Sequence, residues 1–233
     1  MKITKKNLVG FLKKATMSAE QGISEAILDF QKDGLKLNAN SPPKQVRVMA
    51  WLKTSAFKEY EEIGKVGMND LANVIKVLER FDELLTLTVE GNLLTVKSGS
   101  KKVEIELISE AFLTTDDGEP KLEFAETFTL DNGKVKEIVG DVSLNKDAYL
   151  KIETAEKKVL FSNTGKYKFH SEVEAPACKG GVIVNFGKPL VDSIASLDSD
   201  LIFSVSTDYP TKVMEKTEDA IITLIVAPRM PDE

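Results

Sequence analysis

The chain has 233 residues, with 31 Lys+Arg against 37 Asp+Glu, one His, one Cys and one Trp. A single Cys excludes a disulfide framework and a Cys-based zinc site, and a single His excludes a multi-His metal centre. The net charge of −6 argues against an all-round basic coat but is compatible with a basic surface confined to one face.

No apolar run approaches the roughly 18 residues of a membrane span. The start, Met1 to Lys6, is basic without an apolar h-region, so neither a span nor a signal peptide is expected. The expected setting is a reducing interior, cytoplasm or nucleus. A hydrophobic content of 42% can fill one large core or two of about 110–120 residues.

In chain order, Lys5–Met17 reads as a helix, with Leu8, Phe11, Leu12 and Ala15 on one stripe. A hairpin follows, 26–30 and 35–39, turned at Asp33-Gly34. Residues 45–52 read as a strand. After a strand at 60–66, a second helix spans Asn69–Arg80, with Leu71, Val74, Ile75 and Leu78 inward. Its hairpin is 84–89 and 93–96, followed by a strand at 103–108.

Glu110 to Pro120 is polar, contains Gly and lacks periodicity, so it reads as a linker. A strand at 122–130 leads into a third helix, about 132–142, carrying Val135, Ile138, Val139 and Val142. The hairpin 149–154 and 158–162 and a strand at 166–173 follow. A strand at 181–185 precedes the fourth helix, Lys188–Leu197, which has Pro189 in its first turn and Leu190, Val191, Ile194 and Leu197 on one stripe. The hairpin 201–206 and 211–215 and the strand 220–226 close the chain. The hairpin turns recur at spacings of roughly 50–65 residues, the signature of a repeat. The fold class is therefore α+β. Two similar domains each hold two β-α-β-β-β units, with helices on one face of antiparallel sheets. The expected division is 1–109, a connector at 110–121, and 122–233.

The outward helix faces are informative. Lys6, Lys13 and Lys14 lie opposite the first apolar stripe, with Lys5 nearby. Asn69, Asn73, Lys76 and Arg80 form a polar stripe without an acid on the second helix. Lys134 and Lys136 point outward on the third, diluted by Glu137 and Asp141, and Lys188 stands against Asp192 on the fourth. Long cations on stable helix faces suit phosphate oxygens and read no sequence. Acids gather elsewhere, at Glu59-Tyr60-Glu61-Glu62, Glu104, Glu106 and Asp116-Asp117. No catalytic constellation is expected. His170 reads as a structural residue of an alternating strand, and Cys178 lacks a nearby base. No metal or cofactor site is expected.

The ending Leu224-Ile225-Val226-Ala227-Pro228-Arg229-Met230, followed by acids, resembles that of the PCNA family of DNA sliding clamps. Leu28 to Leu37 resembles that family's first hairpin, and Leu12-Lys13-Lys14 its preceding helix. Phe57 to Tyr60, Gly118 to Phe124 and Asp208-Tyr209-Pro210 add to the likeness in the right order. The resemblance implies a homotrimeric ring around double-stranded DNA that does no chemistry. It implies a clamp loader and partners such as a DNA polymerase, a flap endonuclease and ligase, docking through a peptide motif. DNA-facing positions would be Lys13, Lys14, Lys76, Arg80, Lys134, Lys136 and Lys188. The family commonly carries arginines on its third helix, where this chain has Glu137 and Gly140. The partner pocket would use Val48, Leu113, Pro120, Leu122, Pro210, Ile225, Ala227 and Pro228. Glu104 and Glu106 on one edge strand, and Lys166 and Lys168 on another, would join subunits. Two alternatives remain: a paralogous subunit of a hetero-ring, and a clamp-fold scaffold that does not bind DNA.

Overall fold

The computed structural model describes residues 1–17, 22–113, 118, 120–145 and 149–229. Residues 114–117 and 119 of the expected connector, and the acidic ending, lie outside the described residues. The chain divides into two compact units. The first takes Met1–Pro42, Val48–Gly118 and Thr217–Ile222; the second takes Pro43–Arg47, Glu119–Lys216 and Thr223–Glu233.

The first unit begins with β1 (Lys2–Thr4), α1 (Lys5–Thr16), β2 (Ala26–Gln31), β3 (Gly34–Asn40) and β4 (Val46–Lys53). A short β5 (Phe57–Glu59) leads to β6 (Gly64–Met68), α2 (Leu71–Glu79), β7 (Leu84–Glu90), β8 (Leu93–Ser98) and β9 (Lys101–Glu106). The second unit repeats the pattern. It runs β10 (Glu126–Leu130), α3 (Asn132–Ser143), β11 (Leu150–Ala155), β12 (Lys158–Asn163) and β13 (His170–Glu174). Then come β14 (Ile183–Phe186), α4 (Lys188–Ala195), β15 (Leu201–Val205), β16 (Thr211–Lys216) and β17 (Ala220–Val226), of which Thr223–Val226 belong to this unit.

The leading strand of each repeat joins the sheet of the other repeat in its unit. β1 pairs with β7 in a sheet ordered β5-β1-β7-β8-β9, while β6 pairs with β2. In the second unit β10 pairs with β15, and β14 with β11 in the sheet β13-β12-β11-β14. This exchange explains why one repeat cannot close its own core. The periodicity did not reveal β1 or β5, each only three residues long.

In each unit the two helices pack side by side, α1 with α2 and α3 with α4. Their expected stripes are buried: Leu8, Phe11, Leu12 and Ala15; Leu71, Val74, Ile75 and Leu78; Val135, Ile138 and Val142; Leu190, Val191 and Ile194. Val139 is only half-buried. Thr4 caps α1 by accepting from the Asn7 amide at 3.2 Å, and Asp131 caps α3 by accepting from Lys134 at 2.9 Å.

Several sequence expectations shift. α2 starts at Leu71 and not Asn69, because Asp70 adopts φ 51 and interrupts the helical backbone. Asn69 therefore drops out of the polar stripe. The strand expected at 166–173 begins only at His170. Asparagine side chains satisfy the preceding backbone in place of a strand ladder. Asn145 accepts from the Tyr167 amide at 3.0 Å and donates to its carbonyl at 2.7 Å. Asn163 donates to the same carbonyl at 3.0 Å and accepts from the Phe169 amide at 2.9 Å. Lys166 and Lys168 thus precede the strand and do not lie on it. The strand expected at 122–130 likewise begins at Glu126.

Candidate nucleic-acid interface and partner pocket

On α1, Lys13 is exposed and Lys14 half-buried; on α2, Lys76 and Arg80 are exposed. Lys13 is not a lone cation. It forms an ion pair at 2.5 Å with Glu79 on the neighbouring α2, an acid that the single-helix stripe overlooked. Lys5 donates to the Phe81 carbonyl at 2.7 Å and Lys101 to the Arg80 carbonyl at 2.8 Å. Both cations sit at the carbonyl end of α2, where the helix dipole favours positive charge.

The helix face of the second unit is more nearly neutral. Lys134 pairs with Glu137 at 2.8 Å and Lys188 with Asp192 at 2.5 Å, each within its own helix. Lys136 is exposed.

The residues proposed for partner binding fall in both units. In the first, Val48 is completely buried on β4, so its side chain offers no open surface. Leu113 is half-buried. A Cβ at Gly67 would meet the Leu113 side chain at 3.1 Å and the Ile108 carbonyl at 2.3 Å. The chain after β9 is therefore laid tightly on β6, sealed by a hydrogen bond from the Ile108 amide to the Gly67 carbonyl at 3.0 Å. Just beyond, Phe112 is 83% exposed. It was not among the expected pocket residues, although an aromatic residue in a polar linker is a usable signal.

In the second unit a cavity of about 370 Å³ is lined by Gln45, Gly187, Pro189, Leu190 and the run Val226 to Arg229. It gathers the predicted Ala227 and Pro228. Ile225 alternates to the other face of β17 and does not line it. Pro120, Leu122 and Pro210 are half-buried and do not line this cavity either. The Arg229 amide donates to the Asn185 carbonyl at 2.7 Å, and its guanidinium lies 5.1 Å from the Tyr149 ring centre. The C-terminal run is thus fastened along β14.

The two predicted joining strands are both sheet edges: β9 ends the first unit's five-stranded sheet and β13 ends the second unit's four-stranded sheet. On β9, Lys102, Glu104 and Glu106 are exposed, while Val103 and Ile105 are half-buried. Hydrogen bonding to Lys102 lowers the Glu104 pKa. On β13 the exposed row is His170, Glu172 and Glu174, so the edge is not simply basic. His170, expected to be a satisfied structural residue, is exposed. Cys178 is buried, and burial followed by the nearby Glu126 carboxylate pushes its thiol pKa up, away from the reactive thiolate. Among the described residues no group of three or more His, Cys, Asp or Glu could hold a metal ion, and no helix is long and apolar enough to cross a membrane.

The fold is similar over 100% of this chain, with a TM-score of 0.87 and 20% identity, to a structure of the C-terminal region of FEN-1 bound to A. fulgidus PCNA, 98% of which is covered. The chain has the fold of the PCNA-type sliding clamps. The PCNA of Entamoeba histolytica matches with a TM-score of 0.82 at 18% identity, with 98% of both chains covered. The PCNA2–PCNA3 complex of Sulfolobus tokodaii matches with a TM-score of 0.80 at 18% identity, covering 98% of this chain and 99% of that one. In sequence, the DNA polymerase sliding clamp of Nanoarchaeum equitans is 24% identical over 239 aligned positions, covering 94% of this chain and 95% of the relative. No protein-family model matches the chain. The clamp fold accounts for the four β-α-β-β-β repeats and the paired helices of each unit.

Proposed function

We propose that this chain is a DNA sliding clamp: copies close into a ring around duplex DNA, and the ring tethers replication and repair enzymes without itself catalysing a reaction. The observation that carries the reading is the full-length correspondence to a DNA polymerase sliding clamp, together with a PCNA-type fold over the entire chain. Sliding calls for phosphate contacts that are individually weak and blind to base identity, and lysine and arginine side chains on helices supply them. Lys13, Lys14, Lys76 and Arg80 are the foremost DNA-facing residues, with Lys136 the most available cation on the second unit's helices. Lys134 and Lys188 contribute less, because each already faces a carboxylate. Processivity then follows from topology and from the raised effective concentration of a tethered enzyme.

Partner peptides dock against the second unit's C-terminal run, with Ala227 and Pro228 in the cavity. The structure of a FEN-1 segment bound to a PCNA of the same fold supports a peptide-docking role. The test is loading by an ATP-driven clamp loader onto nicked circular DNA, followed by linearisation. Wild type is retained on circles and lost from linear ends. Lys13→Glu with Lys14→Glu lowers loading while the oligomer mass stays unchanged; undiminished loading of that variant would contradict the DNA assignment.

A second reading, a subunit of a hetero-ring, is favoured by the PCNA2–PCNA3 complex among the similar structures. Native mass of the purified chain alone separates the two.

A further inference from the structure

The cavity of the second unit is lined by two stretches built in different ways. Gly187, Pro189 and Leu190 belong to the passage from β14 into α4. That stretch is firmly seated: Leu190 is completely buried, and β14 is laddered to β11, with Leu150 opposite Phe186 and Lys151 opposite Asn185. The other stretch is the run Val226 to Arg229. β17 ends at Val226, so Ala227, Pro228 and Arg229 have no strand ladder. Pro228 has no N–H to offer. The run is tied on both sides of that proline. The Ala227 amide donates to the Gln45 carbonyl at 2.9 Å, and the Arg229 amide to the Asn185 carbonyl at 2.7 Å.

The second tie joins the two stretches, because Asn185 lies two residues before Gly187. Arg229 is half-buried, and a hydrogen bond near water competes with solvent for its donor. The arginine side chain adds a second hold. Its guanidinium carbon lies 5.1 Å from the ring centre of Tyr149, inside the roughly 6 Å of a cation–π contact. Tyr149 is half-buried and immediately precedes β11. The next two residues, Leu150 and Lys151, pair with Phe186 and Asn185. Arg229 is thus gripped through its backbone by β14 and through its side chain by the head of β11.

Resting on the partner-docking reading of this cavity, we propose that Tyr149 is a positioning residue of the pocket, whose ring clasps the Arg229 guanidinium and keeps the run 227–229 in place for an entering peptide. Tyr149 does not line the cavity, so it acts through Arg229. A wall that is already ordered does not have to be ordered when the peptide arrives, and that preorganisation raises affinity. The contact needs the aromatic face and not the hydroxyl. Phenylalanine should therefore replace tyrosine, and leucine, of similar apolar bulk, should not.

The test is titration of the full chain with a fluorescent peptide of the FEN-1 C-terminal region, alongside amide hydrogen exchange of the free protein. Tyr149→Leu should weaken peptide binding about threefold and Tyr149→Phe by less than about 1.5-fold, the span of a solvent-facing cation–π contact. Arg229→Met should also weaken binding. Adding Tyr149→Leu to it should cost less than about 1.5-fold more, since the ring then has no cation to hold. In the free protein, Tyr149→Leu and Arg229→Met should each lower the protection of the residue-229 amide about threefold, while the Ala227 amide, tied to Gln45, stays within about 1.5-fold of wild type. Losses that multiply independently, or equal losses in the Phe and Leu variants, would overturn the clasp. A folded wild type that does not bind the peptide would overturn the docking reading instead. Exchange then still decides the clasp: unchanged protection at residue 229 in both variants would sink it.

Discussion

The two units share one architecture but place their charge differently. On α1 and α2 Glu79 binds Lys13 across the helix pair, while Lys76 and Arg80 have no ion-pair partner among the described residues. On α3 and α4 the carboxylates of Glu137 and Asp192 stand one turn from Lys134 and Lys188 and neutralise them on the spot. A phosphate approaching Lys134 or Lys188 must displace a carboxylate already in place; one approaching Lys76, Arg80 or Lys136 need not. The second unit also uses its acids internally. Among the described residues the buried carboxylates are Glu126 and Glu215, both in that unit. Glu126 accepts from the Lys179 and Gly180 amides at 2.9 and 3.0 Å; Glu215 accepts from the Asp198 and Ser199 amides, both at 2.8 Å. The same fold can therefore give one unit a basic outer face while the other uses carboxylates to fasten its loops.

The hardest blow to this division of labour falls on Glu215, which is only 1% exposed. Glu215→Ala should lower unfolding stability by about 3 kcal/mol, because two part-buried amides lose a charged acceptor and a buried site is left empty. Glu126→Ala should cost less, about 1.5 kcal/mol, since that site is 8% exposed and nearer to water. Equal losses, read from denaturant unfolding, would mean that burial does not set the difference. Next in size is the contrast between the helix pairs. Lys76→Glu with Arg80→Glu should weaken retention on circular DNA about tenfold at low salt and reduce the salt slope by about 2. Lys134→Glu with Lys188→Glu should weaken it less than threefold. If both pairs of reversals have the same effect, the two helix faces are equivalent to DNA.

Much of this was legible from spacing alone. The stripes Leu71-Val74-Ile75-Leu78 and Leu190-Val191-Ile194 are buried as the 3.6-residue period demands. The strand 220–226 matches in both bounds. What sequence could not show was set by backbone and by long-range contact. The positive φ of Asp70 moves the start of α2, and Asn145, separated by 22 residues from Tyr167, ends the ladder that alternation extended to Lys166. The Lys13–Glu79 pair spans two helices, so no stripe drawn on one helix contains it. Ile225 shares the apolar run of Val226 but, through the two-residue period of a strand, faces away from the cavity. The exchange of leading strands between repeats leaves no local trace, because each strand's pattern is the same whichever sheet receives it.

The smallest expected effect isolates charge from fold. Glu137→Gln with Asp192→Asn keeps both side chains nearly isosteric and removes the carboxylates that hold Lys134 and Lys188. Those ion pairs are largely open to water, so their removal should change unfolding stability by under about 0.5 kcal/mol. The freed cations should nevertheless raise retention on circular DNA about twofold and steepen the salt dependence toward that of α1 and α2, because each additional lysine can release a counterion from a phosphate. Higher retention with an unchanged melting temperature would place the difference between the units in local neutralisation. Unchanged retention would instead mean that Lys134 and Lys188 do not face the duplex, and that the first unit's helices carry the grip by position as well as by charge.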